Sequence, residues 1–158
     1  MATATVPTEK KISFGGVTPV LRVADVAASI DYYTRVLGFQ VDFKVPGDIA
    51  PFFASVTRGR CNLFLSEGDQ GNPGAWVWID GVNVAKVYEE YLASGAKIRN
   101  PPTNYEWTRE MQVEDLDGNI LRIGSDPNEN EPIGEWLDMY GARWTRLPDG
   151  RWKRVEQG

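Results

Sequence analysis

The sequence predicts an α+β fold made of two copies of one βαβββ unit with a cleft between them, followed by a C-terminal hairpin extension. Three observations predict it. The stretch 18–43, TPVLRVADVAASIDYYTRVLGFQVDF, reads strand, cap, helix, glycine stop, strand. A weaker copy begins at Ala75, and paired hydrophobic strands follow each copy. The repeat is 56–58 residues, placing Leu21 on Val77, Val26 on Val82, Tyr32 on Tyr88, Gly38 near Gly95 and residues 63–65 on 121–123. This is a duplication; a solenoid needs at least ~3 stacked units. The expected organisation is an N-terminal arm over 1–15, a first unit over 16–66, a second over 75–126 and an extension over 127–158.

In chain order, the arm ends at Gly15-Gly16, and residues 17–23 read as a strand with Leu21 and Val23 on one face and Thr18, Val20 and Arg22 on the other. Asp25 is placed to cap a helix, because its carboxylate can accept free N–H groups of the first turn. Val26, Ile30, Tyr33 and Leu37 follow at helical spacing, and Gly38 can take the left-handed conformation that ends a helix. Residues 39–45 read as a strand stopped by Pro46-Gly47, and 52–57 with 61–65 as a hairpin around Arg58-Gly59-Arg60. The polar run 66–74 links the units. Residues 75–79 read as a strand with Trp76 and Trp78 on one face, and Val84, Val87, Tyr88, Tyr91 and Leu92 as a helix ending at Gly95. A short strand at 97–99, a loop at 100–106 containing Pro101-Pro102, and strands at 107–114 and 119–124 complete the second unit. Residues 131–140 read as a short helix against the grain of Pro132 and Gly134, and 142–155 as a hairpin around Pro148-Asp149-Gly150.

Composition narrows the function. The single cysteine, Cys61, cannot form an internal disulfide, and the opening residues have no apolar signal core, so a cytoplasmic, reducing location is expected. No apolar run is long enough to span a membrane. Net charge is −5; residues 141–158 carry Arg143, Arg146, Arg151, Lys153 and Arg154 against Asp149 and Glu156, a local +3 that leaves −8 on the rest. An acidic body repels nucleic acid and favours cations, or serves solubility alone. The chain has no histidine, which removes Ser-His-Asp and Cys-His catalysis and the commonest transition-metal ligand. The basic, tryptophan-containing tail is expected to pack on the acidic body or on a second subunit.

TPVLRVADVAASIDYYTRVLGF and DLDGNILRIG resemble the vicinal oxygen chelate superfamily, which includes glyoxalase I, extradiol dioxygenases, and fosfomycin and bleomycin resistance proteins. The resemblance covers about residues 16–126. It implies paired βαβββ units curved into a half-open barrel around a central site, commonly in a homodimer. In metal-dependent members the ligands are His or Glu on four strands; here those positions fall on Thr18, Phe64, Gly74 and Arg122, and none is a customary ligand. A guanidinium would repel a divalent cation. No metal and no cofactor is therefore expected. The Leu121-Arg122-Ile123 setting and the TPVL opening resemble the metal-independent bleomycin resistance branch, whose members bind a cationic, flat-ringed antibiotic without reacting with it.

Strand alternation places Phe53, Ser55, Phe64, Trp76, Trp78, Glu110, Gln112 and Arg122 on the face toward the cleft, with Tyr105 and Trp107 entering from a loop. The candidate ligand-binding set is Phe53, Phe64, Trp76, Trp78, Asp80, Tyr105, Trp107, Glu110 and Arg122: aromatic rings to stack, Glu110 and Asp80 (with Glu106 and Glu114 nearby) to offer negative charge, and no catalytic residue. Arg122, facing Arg22 or paired with Glu110, argues against a purely cation-binding groove. Asp115 and Asp117 read as turn chemistry, Glu89-Glu90 as a solvated helix face and Cys61 as a packed thiol. The expected function is sequestration of an aromatic, cationic small molecule by a homodimer. The alternatives are a lyase, isomerase or dioxygenase with displaced ligands such as Glu110 and Glu114, and a scaffold that docks through its tail.

Overall fold

A computed structural model describes residues 2–5, 8–47 and 49–158. The first four-stranded sheet contains β1 (Val20–Arg22), β2 (Gln40–Val45), β3 (Phe53–Arg58) and β4 (Cys61–Ser66) in the order β1-β4-β3-β2. The second contains β5 (Trp76–Ile79), β6 (Lys97–Asn104), β7 (Arg109–Glu114) and β8 (Ile120–Ser125) in the order β5-β8-β7-β6. In each, the first strand runs parallel to the last and the other pairs are antiparallel. A three-stranded sheet of β9 (Trp136–Leu137), β10 (Arg143–Arg146) and β11 (Trp152–Arg154) follows. The described part of the N-terminal arm has no regular structure.

The register measures the duplication. Val20 pairs with Phe64, and 58 residues later Trp78 pairs with Arg122. Leu21 therefore corresponds to Ile79 rather than Val77, and Val26 to Val84 rather than Val82. Helix α1 (Val26–Asp31) is capped by Asp25, whose carboxylate accepts from Ala28 N–H at 3.0 Å. It is shorter than the expected helix and continues as a π-helical segment, Tyr32–Val36. Helix α2 (Val84–Ser94) is capped by Asn83 and closed by Gly95 at φ 82°. Val26 and Tyr33 are buried on the first helix and Val84 and Tyr91 on the second, yet Gly38 follows Tyr33 by one residue more than Gly95 follows Tyr91. The π segment absorbs that extra residue without moving either buried side chain.

Two other expectations need correction. Strand β6 runs straight through Pro101-Pro102 to Asn104, where a loop was expected. It is an edge strand and its register shifts between Ile98 and Asn100 and again before Thr103, so two residues without N–H groups remove no obligatory ladder bond. No helix forms over 131–140. Pro132 lacks the donor a helix needs, and a side chain on Gly134 would collide with Thr103.

One core joins the units. Leu21, Val56, Leu63 and Leu65 from the first sheet, Met111, Val113, Leu121 and Ile123 from the second, and Val26, Tyr33, Val84 and Tyr91 from the helices belong to one buried cluster. Leu92, expected on the packed helix face, is instead exposed. Each sheet turns one face to this core and the other away from it.

Candidate functional site

The aromatic residues that alternation assigned to the cleft face lie on the sheet faces turned away from the core shared by the two units. On the first sheet Phe53 and Phe64 lie 5.1 Å apart, and Phe43, which alternation along β2 could have supplied, stacks on Phe53 at 6.2 Å. Ser55, beside Phe64 in the register, hydrogen-bonds to Asp42 and Asn62. Phe43 remains 47% exposed.

On the second sheet Trp76, Trp78, Glu110, Gln112 and Arg122 share the outward face, as the β5–β8 and β7–β8 registers require. Arg122 binds the Glu110 carboxylate through Nε and Nη2 at 3.1–3.3 Å. Its guanidinium also lies 5.2 Å from the Trp78 ring and 5.0 Å from Trp136, a sandwich between two indoles. Glu110 is 1% exposed. Burial pushes its carboxyl above the ordinary carboxylate value, and Arg122 pulls back only part of that rise. Trp78 reaches across the β8 backbone, where a Cβ on Gly124 would stand 2.6 Å from its ring.

The C-terminal extension covers part of this face, so the tail packs on the body of its own chain. Trp136 lies against Trp76 at 6.5 Å and edge-on to Tyr105 at 5.7 Å. The Leu137 carbonyl accepts from Gln112 Nε2 at 3.0 Å, the Asp138 carbonyl accepts from Arg99, and the Glu135 carbonyl accepts from the Tyr105 hydroxyl at 2.9 Å. Ion pairs Arg109–Glu131 and Arg146–Glu106 clamp the edges. Tyr105 is buried and stacks on Trp107 with 8° between planes at 5.1 Å; Trp152 closes the group from the tail at 5.9 Å from Trp107. Trp78 and Trp107 stay 44% and 52% exposed.

The structure thus divides the nine candidate residues. Phe53 and Phe64 form one cluster; Trp76, Trp78, Glu110 and Arg122, with Tyr105 and Trp107, form another; among the described residues no ring contact joins them. Asp80 is exposed at the end of β5 and lines a cavity of about 650 Å³ at the seam between the units. Of the four acids singled out for negative charge, Glu106, Glu110 and Glu114 are ion-paired within the chain and, among the described residues, Asp80 is not. Arg22 does not join Arg122, and Cys61 is half-buried with burial pushing its thiol up. Trp136 and Trp152 were not among the expected residues. Their place on the sheet depends on docking of a remote segment, for which the local sequence carries no signal.

The metal positions change by register alone. The counterpart of Thr18 in the second unit is Trp76, not Gly74. A hydroxyl, two aromatic rings and an ion-paired guanidinium do not fit a divalent cation, and no three His, Cys, Asp or Glu side chains are grouped to hold one among the described residues.

No curated protein matches this chain. Solved structures do. TioX from Micromonospora sp. ML1 is 20% identical, with a TM-score of 0.63, over 71% of this chain and 99% of that one. A bleomycin-binding protein from bleomycin-producing Streptomyces verticillus, solved with copper(II)-bleomycin, is 26% identical, with a TM-score of 0.57, over 73% and 98%. TnmS3, an antibiotic binding protein from Streptomyces sp. CB03234, is 20% identical, with a TM-score of 0.60, over 73% and 99%. These structures are spanned almost end to end by under three quarters of this chain. The duplicated sheets belong to a shared fold, and a family model matches residues 16–123, ending before the tail. The chain belongs to the Glyoxalase/Bleomycin resistance protein/Dioxygenase superfamily.

Proposed function

We propose that the protein is a cytoplasmic, homodimeric binding protein that sequesters a planar aromatic small molecule of the antibiotic type without a metal and without chemistry. The observation that carries this reading is the set of large rings left open on the outward faces, Trp78 and Trp107 on one sheet and Phe43 on the other. Rings so placed offer stacking at about 0.5–1.5 kcal/mol each beyond burial. A second copy supplies the opposite wall, because the two faces of one chain lie on separate sheets. The fold shared with a bleomycin-binding protein supports the ligand class. Stacking dominates over charge, since Glu110 is held by Arg122 and, among the described residues, Asp80 is the one candidate carboxylate without an ion pair.

Calorimetric titration of the full chain with metal-free bleomycin tests the reading. One ligand per subunit is expected, with Trp107→Ala weakening binding about three- to tenfold and dialysis against chelator leaving it unchanged. Affinity indifferent to both Trp107→Ala and Trp78→Ala would remove the outward faces as the site. Affinity that disappears with the chelator and returns with a divalent metal would favour a metal-dependent member.

A further inference from the structure

Duplication creates two seams, where the turn of one unit's last hairpin meets the other unit. The first is filled by the chain itself. Asp117 Oδ1 accepts from Ala24 N–H at 2.9 Å, Asn119 Nδ2 donates to the Arg22 carbonyl at 3.1 Å, and Asn119 Oδ1 accepts from Ala75 N–H at 3.0 Å. Beneath them the Tyr33 hydroxyl donates to Asp115 at 3.0 Å. The turn 115–119 that carries this plug offers a carboxylate acceptor and an amide donor.

The second seam is open. Shifting each residue by the 58-residue repeat turns Ala24 into Val82, Arg22 into Asp80, Ala75 into Val17, Asn119 into Cys61 and Tyr33 into Tyr91. All five counterparts line the same cavity of about 650 Å³. The plug is missing for two reasons. Four residues join Thr57 to Asn62 where five join Glu114 to Ile120, and a thiol stands where Asn119 places its carboxamide. Arg58, in the position of Asp115, is drawn aside to Glu90 and the Leu37 carbonyl. Two opposite charges, Arg60 and Asp80, line the cavity and make no ion pair with one another or with other side chains among the described residues. Ile79, Val87, Leu63 and Ile123 provide apolar lining, with Trp78 beside Asp80. The volume lies within the roughly 300–1,000 Å³ of small-molecule sites.

We propose that this seam is a second binding site, distinct from the outward sheet faces except at Trp78, which borders both, for a small zwitterion with an apolar or aromatic body, of the amino-acid class. The ligand's carboxylate takes the part of Asp117, accepting from Val82 N–H and pairing with Arg60. Its ammonium takes the part of the Asn119 amide, donating to the Asp80 carbonyl and carboxylate. The body rests on the aliphatic lining. The filled seam is the template: it shows which groups the same backbone positions accept.

Cys61 is the only cysteine in the chain and lines the cavity, so its alkylation reports on occupancy of the intact protein. L-phenylalanine is the probe, with 3-phenylpropionate and phenethylamine as controls carrying one charge each. L-phenylalanine is expected to slow iodoacetamide alkylation of Cys61 saturably, at constant pH, and to shift the Val82 amide resonance. Arg60→Ala and Asp80→Asn should each weaken protection roughly tenfold, as expected for lost charge-assisted hydrogen bonds. Trp107→Ala, which does not line the cavity, should leave it unchanged. No protection at about 10 mM, far above a millimolar dissociation constant, would overturn the proposal. Equal protection by either control would overturn the zwitterion assignment. Failure here leaves the outward-face reading standing, because that reading is scored by Trp107→Ala.

Discussion

Arg122 decides the electrostatics of the second sheet. It neutralises a carboxylate that is 1% exposed and fills the space between two indoles. Removing it strands Glu110 in the sheet, so Arg122→Ala is expected to cost about 3 kcal/mol at neutral pH by urea denaturation. The pH dependence has a definite sign. Glu110 has a higher pKa folded than unfolded, so its stabilising contribution is fully present below the unfolded value of ~4.3 and is lost as pH rises through the folded value. Without Arg122 the folded pKa rises further. The deficit of Arg122→Ala should therefore shrink as the pH is lowered from 7 toward ~5. A deficit constant over that range would mean that the loss is packing against Trp78 and Trp136 alone. Asp115 was legible as turn chemistry, and its carboxylate does accept from Asp117 N–H and Asn119 N–H. That it also anchors Tyr33 from the other unit was not, because the partner lies 82 residues away.

At the level of elements, strands and caps were legible and their surroundings were not. Asp25, Gly38 and Gly95 act where local signals placed them, while the cap at Asn83 came only with the structure. The π segment could have been suspected only from the extra residue between Tyr33 and Gly38. Deleting Arg35, which is exposed and pairs with Asp31, should convert the segment to regular α-helix at a cost of no more than ~1 kcal/mol. Loss of folding by circular dichroism would show that Leu37 needs the wider turn. The extension behaves as part of the fold. Trp136→Ala is expected to cost about 3 kcal/mol in thermal or urea unfolding, and deletion of 127–158 to uncover Tyr105, Gln112 and Asn104 and lower the midpoint further. An unchanged midpoint after deletion would mean the tail lies on the sheet without holding it.

For the whole molecule, duplication around one core leaves two outward faces and two seams, and each pair has become unequal. One face is capped by the tail while the other presents Phe43, Phe53 and Phe64; one seam is plugged by its own turn while the other is a cavity. Sedimentation should give a species of twice the chain mass, and Phe43→Ser should move it toward the monomer. A monomer at all concentrations would sink the two-walled groove and leave the seam untouched. Among the described residues no helix is long and apolar enough to cross a membrane.

The sequence by itself determined the duplicated βαβββ order, the faces of the strands, the helix caps and the family. These follow from local periodicity and from residues within a few positions of one another. Only the tertiary structure decided that Trp136 lies on the outward face of the second sheet, that Glu110 is held by Arg122, and that one seam is open. Those outcomes rest on contacts such as Asn119 to Arg22, 97 residues apart, and on a turn shorter by a single residue. Spacing along the chain does not encode which distant groups a fold will bring within bonding distance.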